Sequence, residues 1–406
     1  MMERNWVFAD LHIHSRFSRA CSKDITIENL EKWARVKGIG LLGTGDFTHP
    51  LWLKEVKEKL IEKEGILYSK SGFKFLLTGE ISLMYTQGRG RRVHLVLLVP
   101  DFKTVDKINE YFDGKGRRDY DGRPIFKISC EQFVKDMKEI SEDIEIIPAH
   151  VWTPWFGIFG SMTGFDSLNE AFGEQEKNIH AIETGMSSDP EMNWHLSELN
   201  NRAIVSFSDS HSFWPWRIGR EATIFEKVDN YQDIIGAIRE NKILGTIETE
   251  PSYGKYHWDG HANCNFSSSP EESKKLSGIC PVCNKPLTIG VANRVSEIED
   301  QAIEKNSNRK KYYVLLPLHE LIAFSKASTL SSKKTWELYN KIIGRFGNEF
   351  NVLLNVSKED LIEELKDDLK LVQLILDNRE GKIKVKPGYD GKYGELVEGE
   401  KQVKLF

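Results

Sequence analysis

The sequence has few cysteines, no apolar run long enough to cross a bilayer, and no strong excess of charge of either sign. Five cysteines in 406 residues are too few for the disulfide framework of a small secreted protein. The formal net charge of −5 excludes a uniformly basic nucleic-acid coat, although local basic patches remain compatible with it. Without a membrane-spanning run or a signal-peptide pattern, we expect a cytoplasmic protein with no membrane partner.

Two common catalytic signatures are missing as well. The sequence contains no G-x-S-x-G turn and no Walker-type phosphate loop, which leaves serine-hydrolase and nucleotide-kinase chemistry with little support. A hydrophobic fraction of 40% with 29% charged residues is typical of a globular enzyme. The length predicts more than one domain.

Three regions differ in pattern. Up to residue 250, apolar strand-like runs alternate with amphipathic helical segments, which predicts an α/β domain with a parallel sheet or barrel. A Gly-, Pro- and aromatic-rich stretch opens a small Cys/His segment at 251–290. Residues 291–406 read as a mainly helical C-terminal domain.

Within the first region, the apolar runs repeatedly deliver an ionisable side chain at or near their ends. In "ADLHIHS", His12 and His14 alternate with apolar residues and therefore share one face of a strand. Later runs deliver, in order, Asp46, Glu80, His94, His150, Asp209 and His211. Loops at the carboxyl ends of barrel strands build active sites, and burying this many unpaired ionisable groups would be costly. The pattern predicts a metal centre.

The predicted ligands are histidines and carboxylates, which suit Zn²⁺, Mn²⁺ or Fe²⁺ more than a thiolate-dominated site would. There are more candidates than one ion needs, so we expect two or three divalent metals, with Zn, Mn, Mg and Fe left open. Clustered ions of this kind suit phosphoester hydrolysis, because they activate water and neutralise phosphate charge.

These motifs together resemble the polymerase and histidinol phosphatase (PHP) superfamily. The resemblance rests on "DLHIHS", Gly45-Asp46, "TGE", "PAH" and "SDSH". It implies a distorted (β/α)7 barrel with a multinuclear metal centre, and metal-ligand roles for His12, His14, Glu80, His94, His150, Asp209 and His211. Where the superfamily has Thr-Asp-His, this chain has Thr44-Gly45-Asp46, so either Asp46 or His49 is expected to take the missing place. Asp10 is the candidate for a carboxylate that orients a histidine.

A second metal site is indicated by the Cys/His segment. Cys280-x-x-Cys283 forms half of a zinc knuckle, and His261-x-x-Cys264 can supply the other two ligands. Such a Cys₃His set meets the tetrahedral preference of a structural Zn²⁺. His257 is the alternative fourth ligand.

The order of the modules narrows the resemblance. A PHP barrel followed by "GKYHWDGH", a CPxC segment and "LLPLHELIA" resembles the endonuclease Q family. That resemblance implies a DNA repair endonuclease that nicks 5′ to deaminated bases (uracil, hypoxanthine, xanthine) or abasic sites, with Asp209 as a ligand that also orients the nucleophile. The alternatives are a small-molecule phosphatase acting on a histidinol-phosphate-like substrate and a non-catalytic damage-binding module.

Aromatic and basic loops follow the predicted active-site strands and are candidates for contact with damaged DNA. Aromatic faces can stack on a flipped base, and basic Gly-rich loops can contact phosphates. The candidates are Arg91, Arg92, Trp152 and Trp214, together with the basic loop at 114–123. The C-terminal "EGEKQVKLF" is a candidate docking tail for a sliding clamp, although a frayed terminus is the better explanation of this segment.

Overall fold

The structure is a computed structural model that describes residues 6–303 and 309–397. It shows a mixed α/β chain with one large sheet and a helical C-terminal region. Within the described residues, no helix is long and apolar enough to cross a membrane. The predicted docking tail at 398–406 lies outside the described residues.

The strands of the large sheet come mainly from the first 250 residues. The strands of the described residues, including those of three separate two-stranded sheets, are β1 (Val7–Asp10), β2 (Leu41–Gly43), β3 (Ile61–Lys63), β4 (Ile66–Tyr68), β5 (Lys74–Gln87), β6 (Arg89–Val99), β7 (Ile125–Phe126), β8 (Glu145–Pro148), β9 (Ala181–Glu183), β10 (Ala203–Val205), β11 (Ala222–Phe225), β12 (Gly245–Glu248), β13 (Asp259–His261), β14 (Phe266–Ser268), β15 (Lys311–Val314), β16 (Val385–Lys386) and β17 (Glu395–Leu396).

Helices connect many of these strands and make up most of the C-terminal region. They are α1 (Ile27–Lys37), α2 (Pro50–Lys59), α3 (Phe102–Asp113), α4 (Cys130–Ile140), α5 (Leu168–Phe172), α6 (Pro190–Asn193), α7 (Tyr231–Arg239), α8 (Pro270–Lys275), α9 (Val291–Ile298), α10 (Leu318–Ser325), α11 (Lys333–Phe346), α12 (Glu349–Leu354), α13 (Lys358–Glu364) and α14 (Leu369–Arg379).

The large sheet has eleven strands. Its main path runs β15-β12-β11-β1-β2-β5-β4-β3, with β6 and β7 paired to β5, and β8 paired to β6. The pairs β1–β2 and β2–β5 are parallel, whereas β6 runs antiparallel to both β5 and β8. The simple βα alternation that the sequence predicts is therefore interrupted where β5 and β6 form a hairpin, with Gly88 at φ +68° in the turn.

Two short parallel strands, β9 and β10, pair with each other and approach the large sheet at both sides. The Val151 amide, just after β8, donates to the Glu183 carbonyl at 3.0 Å, and the His14 amide donates to the Ser210 carbonyl at 2.9 Å. These contacts bring the ends of β1, β8, β9 and β10 round one central space.

The C-terminal region returns to this sheet. Its strand β15 pairs in parallel with β12, so residues beyond 290 extend the large sheet. Helix α1 also packs against the C-terminal region. Helix α1 ends at Gly38, which has φ +102°, and a Cβ there would lie 2.7 Å from Asn348 Oδ1. A glycine therefore suits both the helix end and the close approach of α12.

A buried ion pair joins the same two parts. Lys37 Nζ lies 2.6 Å from Glu349 Oε1, and the side chains are 1% and 0% exposed. Glu349 also accepts hydrogen bonds from the Leu318 amide and the Tyr339 hydroxyl, and Lys37 donates to the Pro215 carbonyl. With these partners the desolvation of both charges is well compensated.

We expect Lys37→Met to lower the free energy of unfolding by about 3–5 kcal/mol, because it leaves the Glu349 carboxylate buried without its cation. Urea unfolding followed by circular dichroism measures the change. The double variant Lys37→Met/Glu349→Leu is expected to recover part of the loss. A single variant as stable as the parent would contradict the prediction.

Candidate metal centre

Six side chains converge in the space between the strand ends. They form two groups whose ligand atoms lie within 4.8 Å of one another, and Glu80 belongs to both: His12, His14, Glu80 and Asp209, then Glu80, His94 and His150. His12 and His14 follow β1, His150 follows β8 and Asp209 follows β10, while Glu80 and His94 lie within the β5–β6 hairpin. The structure thus brings together six of the eight residues that the sequence proposes as metal ligands.

Glu80 lies between the two groups and turns one oxygen to each. Its Oε2 is 3.2 Å from His14 Nε2, whereas its Oε1 is 2.7 Å from His94 Nδ1 and 3.2 Å from His150 Nε2. Burial raises the pKa of Glu80, but the neighbouring His94 and Arg123 outweigh it and hold the pKa well below its usual range. This places an ionised carboxylate where it can bridge two cations.

Asp209 completes the first group. Its Oδ1 is 3.0 Å from His14 Nε2 and 3.7 Å from His12 Nε2. Burial raises the pKa of Asp209, yet the hydrogen bond from His14 and the nearby histidine charges bring it well below the ordinary value. The side chain is 30% exposed, so it can face both a metal and a substrate.

The side chains that converge here have the chemistry that a metal centre needs. His12 Nε2 is buried and has no hydrogen-bond partner among the described residues, although it points toward Glu80 at 3.5 Å. A buried imidazole nitrogen without a partner is costly unless a ligand satisfies it. Imidazoles and carboxylates are ligands for several divalent metals. The residues present therefore fit a multinuclear divalent centre.

Two further carboxylates orient the histidines of the first group. His12 Nδ1 contacts Glu183 Oε1 at 2.9 Å, and His14 Nδ1 contacts Asp46 Oδ1 at 2.9 Å. In each case the second ring nitrogen, Nε2, is left facing the centre. A carboxylate behind a ligating histidine fixes its tautomer and increases its basicity.

Asp46 thus lies where it orients His14, and its role as a direct metal ligand stays a prediction. Its oxygens accept hydrogen bonds from His14, from the amide and hydroxyl of Ser15, and from the hydroxyl of Ser18, and it lies outside both converging groups. The His49 ring stacks on Phe17 at 4.2 Å, and its substitution for the missing ligand stays a prediction.

The role predicted for Asp10 also needs correction. Its carboxylate touches no histidine within hydrogen-bond distance. It accepts hydrogen bonds from the amide and hydroxyl of Ser208 and from the Gly219 amide. Asp10 therefore fixes the loop that carries Asp209. Burial raises the pKa of Asp10 to about 6, against these hydrogen bonds.

Glu183 was not identified from the sequence. It accepts a hydrogen bond from the His150 amide at 2.7 Å in addition to its contact with His12, and so ties two ligand-bearing loops together. A signal existed, because Glu183 ends the apolar run "HAIE" just as the proposed ligands end theirs.

His211 lies next to the converging groups without joining them. Its ring centroid is 4.6 Å from that of His14, and its Nδ1 is 3.0 Å from the Asp209 carbonyl oxygen. It lines the cavity above the centre. Its role as a metal ligand stays a prediction.

The backbone is strained at three positions of the centre. Asp46, His150 and Asp209 have φ values of 47°, 33° and 47°, which side-chain-bearing residues rarely adopt. Such strain persists only where the surroundings enforce it, and it is concentrated at functional sites. Gly122 is equally constrained, since a Cβ there would lie 2.1 Å from Asp46 Oδ2.

We expect Asp46→Asn to weaken metal binding by about 10- to 100-fold, because His14 loses a charged partner while its own ligand nitrogen stays in place. Titration of the metal-depleted protein with Mn²⁺, followed by calorimetry, measures the affinity. Glu139→Gln, an exposed carboxylate on α4, is the matched control. Equal affinity in the two variants would contradict the orienting role.

A cavity of about 330 Å³ opens above the centre. Its wall includes Trp155, Phe156 and Tyr256 beside His94 and Asp209. Trp155 and Tyr256 meet edge to face with ring centroids 5.5 Å apart, and Phe156 lies 4.2 Å from the His94 ring. Arg123 reaches the same cavity and contacts Glu80 Oε2 at 3.0 Å. The cavity that leads to the centre is therefore polar at its base and aromatic along one side.

Two of the predicted DNA-contacting residues are core residues instead. Trp152 is 0% exposed, and its indole N–H donates to Asn193 Oδ1 at 2.8 Å, so it cannot stack on a base. The guanidinium of Arg91 is buried among the Gln87 and Gly164 carbonyls and the Glu170 carboxylate. This burial does not favour contact of either residue with DNA, which stays a prediction.

The other two candidates remain predictions. Arg92 is exposed and lies 5.9 Å from the Phe156 ring, near the cavity wall. Trp214 is partly buried and stacks on Trp216 at 5.5 Å, with Trp336 of the C-terminal region at the same distance.

The Cys/His segment forms a separate site. The nitrogen and sulfur atoms of His261, Cys264, Cys280 and Cys283 lie within 4.8 Å of one another, and His261 Nδ1 is 3.1 Å from Cys264 Sγ and 3.3 Å from Cys283 Sγ. His257 is not part of this group. Burial raises the pKa of Cys280, but the Val282 and Cys283 amides bring it down to about 7. The arrangement suits one tetrahedral ion with no open position.

Comparison with known proteins gave consistent matches. Residues 317–382 match the family described as the MJ0043 C-terminal domain. The chain is 32% identical over 287 residues to the uncharacterised protein MJ0043 of Methanocaldococcus jannaschii, covering 67% of this chain but only 35% of that relative. It is 27% identical over 413 residues to the uncharacterised protein YqxK of Bacillus subtilis, covering 96% of this chain and 99% of YqxK.

Two solved structures are similar over nearly the whole chain. The first is the lesion-specific endonuclease PfuEndoQ of Pyrococcus furiosus, with a TM-score of 0.88, 32% identity, and coverage of 99% of this chain and 97% of that one. The second is endonuclease Q in complex with a 27-mer duplex substrate carrying an abasic lesion at the active site, with a TM-score of 0.88, 32% identity, and 98% coverage of both chains.

Proposed function

The chain belongs to the endonuclease Q family, and on that premise we propose that it is a metal-dependent DNA endonuclease acting at damaged nucleotides. It hydrolyses the phosphodiester on the 5′ side of a deaminated base (uracil, hypoxanthine or xanthine) or of an abasic site. The observation that carries the proposal is Glu80, which turns one oxygen to each of two groups of ligand atoms on the floor of an open cavity.

The residues divide the work between them. When bound, divalent metals activate water and offset the charge that develops on the phosphate. His12, His14 and Asp209 would hold one metal together with Glu80, and His94 and His150 would hold another with the same carboxylate. Asp209, partly exposed at the cavity floor, orients the attacking nucleophile. Arg123 neutralises Glu80 and faces the space where the phosphate would lie.

The cavity wall supports recognition of an extruded nucleotide. Trp155, Phe156 and Tyr256 line it, and aromatic faces stack on any base that leaves the duplex. A damaged or missing base costs less to extrude than a paired one. Preference for deaminated bases and abasic sites would then follow partly from this lower cost.

We also propose the barrel type, the domain division, the metal content and the protein partner that the sequence predicts. Seven strands (β1, β2, β5, β6, β8, β9 and β10) form a distorted barrel of the (β/α)7 type, with residues 1–250 as the catalytic part, 251–290 as a zinc-binding module and 291–406 as a mainly helical part. The barrel holds two or three divalent metals, and the Cys₃His group holds one Zn²⁺. A sliding clamp is proposed as partner for the C-terminal tail.

A small-molecule phosphatase of the same superfamily is the weaker alternative. It would use the same ligands, but it gives no role to the Cys/His site or the helical C-terminal region. The whole-chain similarity to endonuclease structures favours DNA.

End mapping of cleaved duplexes tests the proposal. Labelled duplexes carrying one uracil, hypoxanthine or abasic site are incubated with the protein and Mg²⁺, Mn²⁺ or Zn²⁺, and p-nitrophenyl phosphate is the phosphatase control. We expect a single nick 5′ to the lesion, no nick in undamaged duplex, and loss of nicking in Asp209→Ala. Turnover of the phosphomonoester without nicking would overturn the proposal, as would undiminished nicking by Asp209→Ala.

A further inference from the structure

Three cations lie together round one tyrosine, Tyr393, and one of them, Arg220, lines the cavity. Lys255 Nζ is 4.6 Å and the Arg217 guanidinium carbon is 5.9 Å from the centroid of the Tyr393 ring. Arg220 lines the cavity together with Asp209 and His211. The group, here called the rim cluster (Arg217, Arg220, Lys255 and Tyr393), is therefore continuous with the metal centre.

The cluster is assembled from distant parts of the chain that are fixed to one another. Arg217 and Arg220 follow the Asp209 loop, and Lys255 opens the Cys/His segment. Tyr393 belongs to the C-terminal hairpin of β16 and β17. The Gly391 amide donates to the Lys255 carbonyl at 3.0 Å and the Gly394 amide donates to the Tyr253 carbonyl at 3.0 Å. The hairpin is thereby held beside the cations.

These cations have no ionic partners of their own. Within residues 6–303 and 309–397, none of the three lies within 4.0 Å of a carboxylate oxygen, in a chain whose formal net charge is −5. Arg220 donates from Nε and Nη2 to the Ser208 carbonyl. Its Nη1 is buried and has no hydrogen-bond partner among these residues. Among the described residues, therefore, no direct ion pair neutralises these positive charges.

The positive charges of the rim cluster also affect the pKa of Tyr393. Burial raises the pKa of the Tyr393 phenol, but the charges of Arg220, Arg217 and Lys255 bring it below its ordinary value. The acidic group that faces the two arginines is Glu320, and burial raises its pKa.

We infer that the rim cluster binds phosphates of the DNA strand next to the scissile phosphodiester, and so positions that strand over the metal centre. The inference rests on the proposed function. Arg220, which lines the cavity, takes the phosphate nearer the metals, and Arg217 and Lys255 take the next ones outward. Through Tyr393, the C-terminal hairpin becomes part of the substrate-binding surface.

The double variant Arg217→Ala/Lys255→Ala tests the inference. Binding of a fluorescein-labelled duplex with one tetrahydrofuran abasic-site analogue is measured in the Asp209→Ala background from 0.05 to 0.4 M KCl. A plot of the logarithm of the association constant against the logarithm of the KCl concentration is expected to become less steep by about 0.9 for each lost phosphate contact. Relative to binding at 1 M KCl, this corresponds to a loss of about eightfold in affinity at 0.1 M KCl. In the active protein, KM for the same duplex rises and kcat is unchanged.

The control is Lys63→Ala/Lys135→Ala, which removes two exposed lysines with the same change in net charge. If this control lowers the salt slope as much as the rim variant does, the effect is a general charge effect and the inference fails. It also fails if the rim variant keeps the parental slope and KM. Absence of nicking by the parent protein, with the slope still reduced in the rim variant, would reject the proposed endonuclease activity and support the phosphate-binding surface.

Discussion

Replacing Glu80 with glutamine is expected to abolish nicking while the protein remains folded. The single-turnover rate on an abasic-site duplex should fall by about 10³-fold, because a lost metal position removes several kcal/mol of transition-state stabilisation. The glutamine side chain keeps the size of the glutamate, so the packing of β5 against β6 persists. Quenched-flow or gel-based rates under enzyme excess measure the change.

The shared position of Glu80 makes a second measurement decisive. Both of its oxygens face ligand groups, so Glu80→Gln should reduce the barrel's metal content at both positions. His94→Asn should affect only the group made by Glu80, His94 and His150. Elemental analysis after dialysis compares the two with Glu58→Gln, which alters an exposed carboxylate on α2. Equal metal loss in the Glu80 and His94 variants would contradict the bridging role.

Much of this centre could be predicted from the sequence, because strand geometry orders side chains simply. Alternation in "DLHIHS" places His12 and His14 on one face, and the later polar strand ends supply Glu80, His150 and Asp209. The convergence depends on topology that a short pattern cannot give. The contact between His12 and Glu183 spans 171 residues, and the strand-end position of Glu183 does not by itself show which side chain it contacts.

The structure differs from the sequence interpretation where one residue type suits two different environments. Asp46 occupies a motif position that predicts a ligand, but the adjacent Ser15 and Ser18 donors hold it behind His14. Trp152 follows an active-site histidine and is expected on a surface loop. The loop folds back so closely that a Cβ on Gly157 would lie 2.6 Å from the Val151 carbonyl oxygen, and Trp152 is enclosed. Compact loops of this kind depend on long-range packing.

Loss of the Cys₃His site is expected to lower the local stability of the Cys/His segment greatly. In Cys280→Ser the protein should lose one equivalent of bound zinc and keep its barrel metals. Structural zinc contributes about 10–16 kcal/mol in isolated zinc-finger peptides, so even a small part of that energy stabilises the segment greatly. We expect amide hydrogen exchange in residues 259–290 to accelerate by at least about 10³-fold, which corresponds to about 4 kcal/mol of local stability.

The same loss should reach the C-terminal hairpin, because the two are hydrogen-bonded. The Trp258 amide donates to the Gly388 carbonyl at 3.0 Å, and Asp390 accepts from the Ala262 amide and the Thr288 hydroxyl. Residues 385–396 should therefore exchange faster in Cys280→Ser, whereas the β5–β6 hairpin should not change. Cys21→Ser, which alters a cysteine outside the site, is the matched control for zinc content and exchange.

This variant also separates a structural role of the Cys/His site from a catalytic one. Lys255 and Tyr256 belong to the segment that the Cys/His site would stabilise. Loss of the site should therefore disorder this side of the cavity and raise KM for damaged duplex. The barrel ligands do not include any of its four residues, so kcat at saturating DNA should change much less than in Glu80→Gln. A fall in kcat as large as that of Glu80→Gln, or unchanged hydrogen exchange after zinc loss, would contradict the structural assignment.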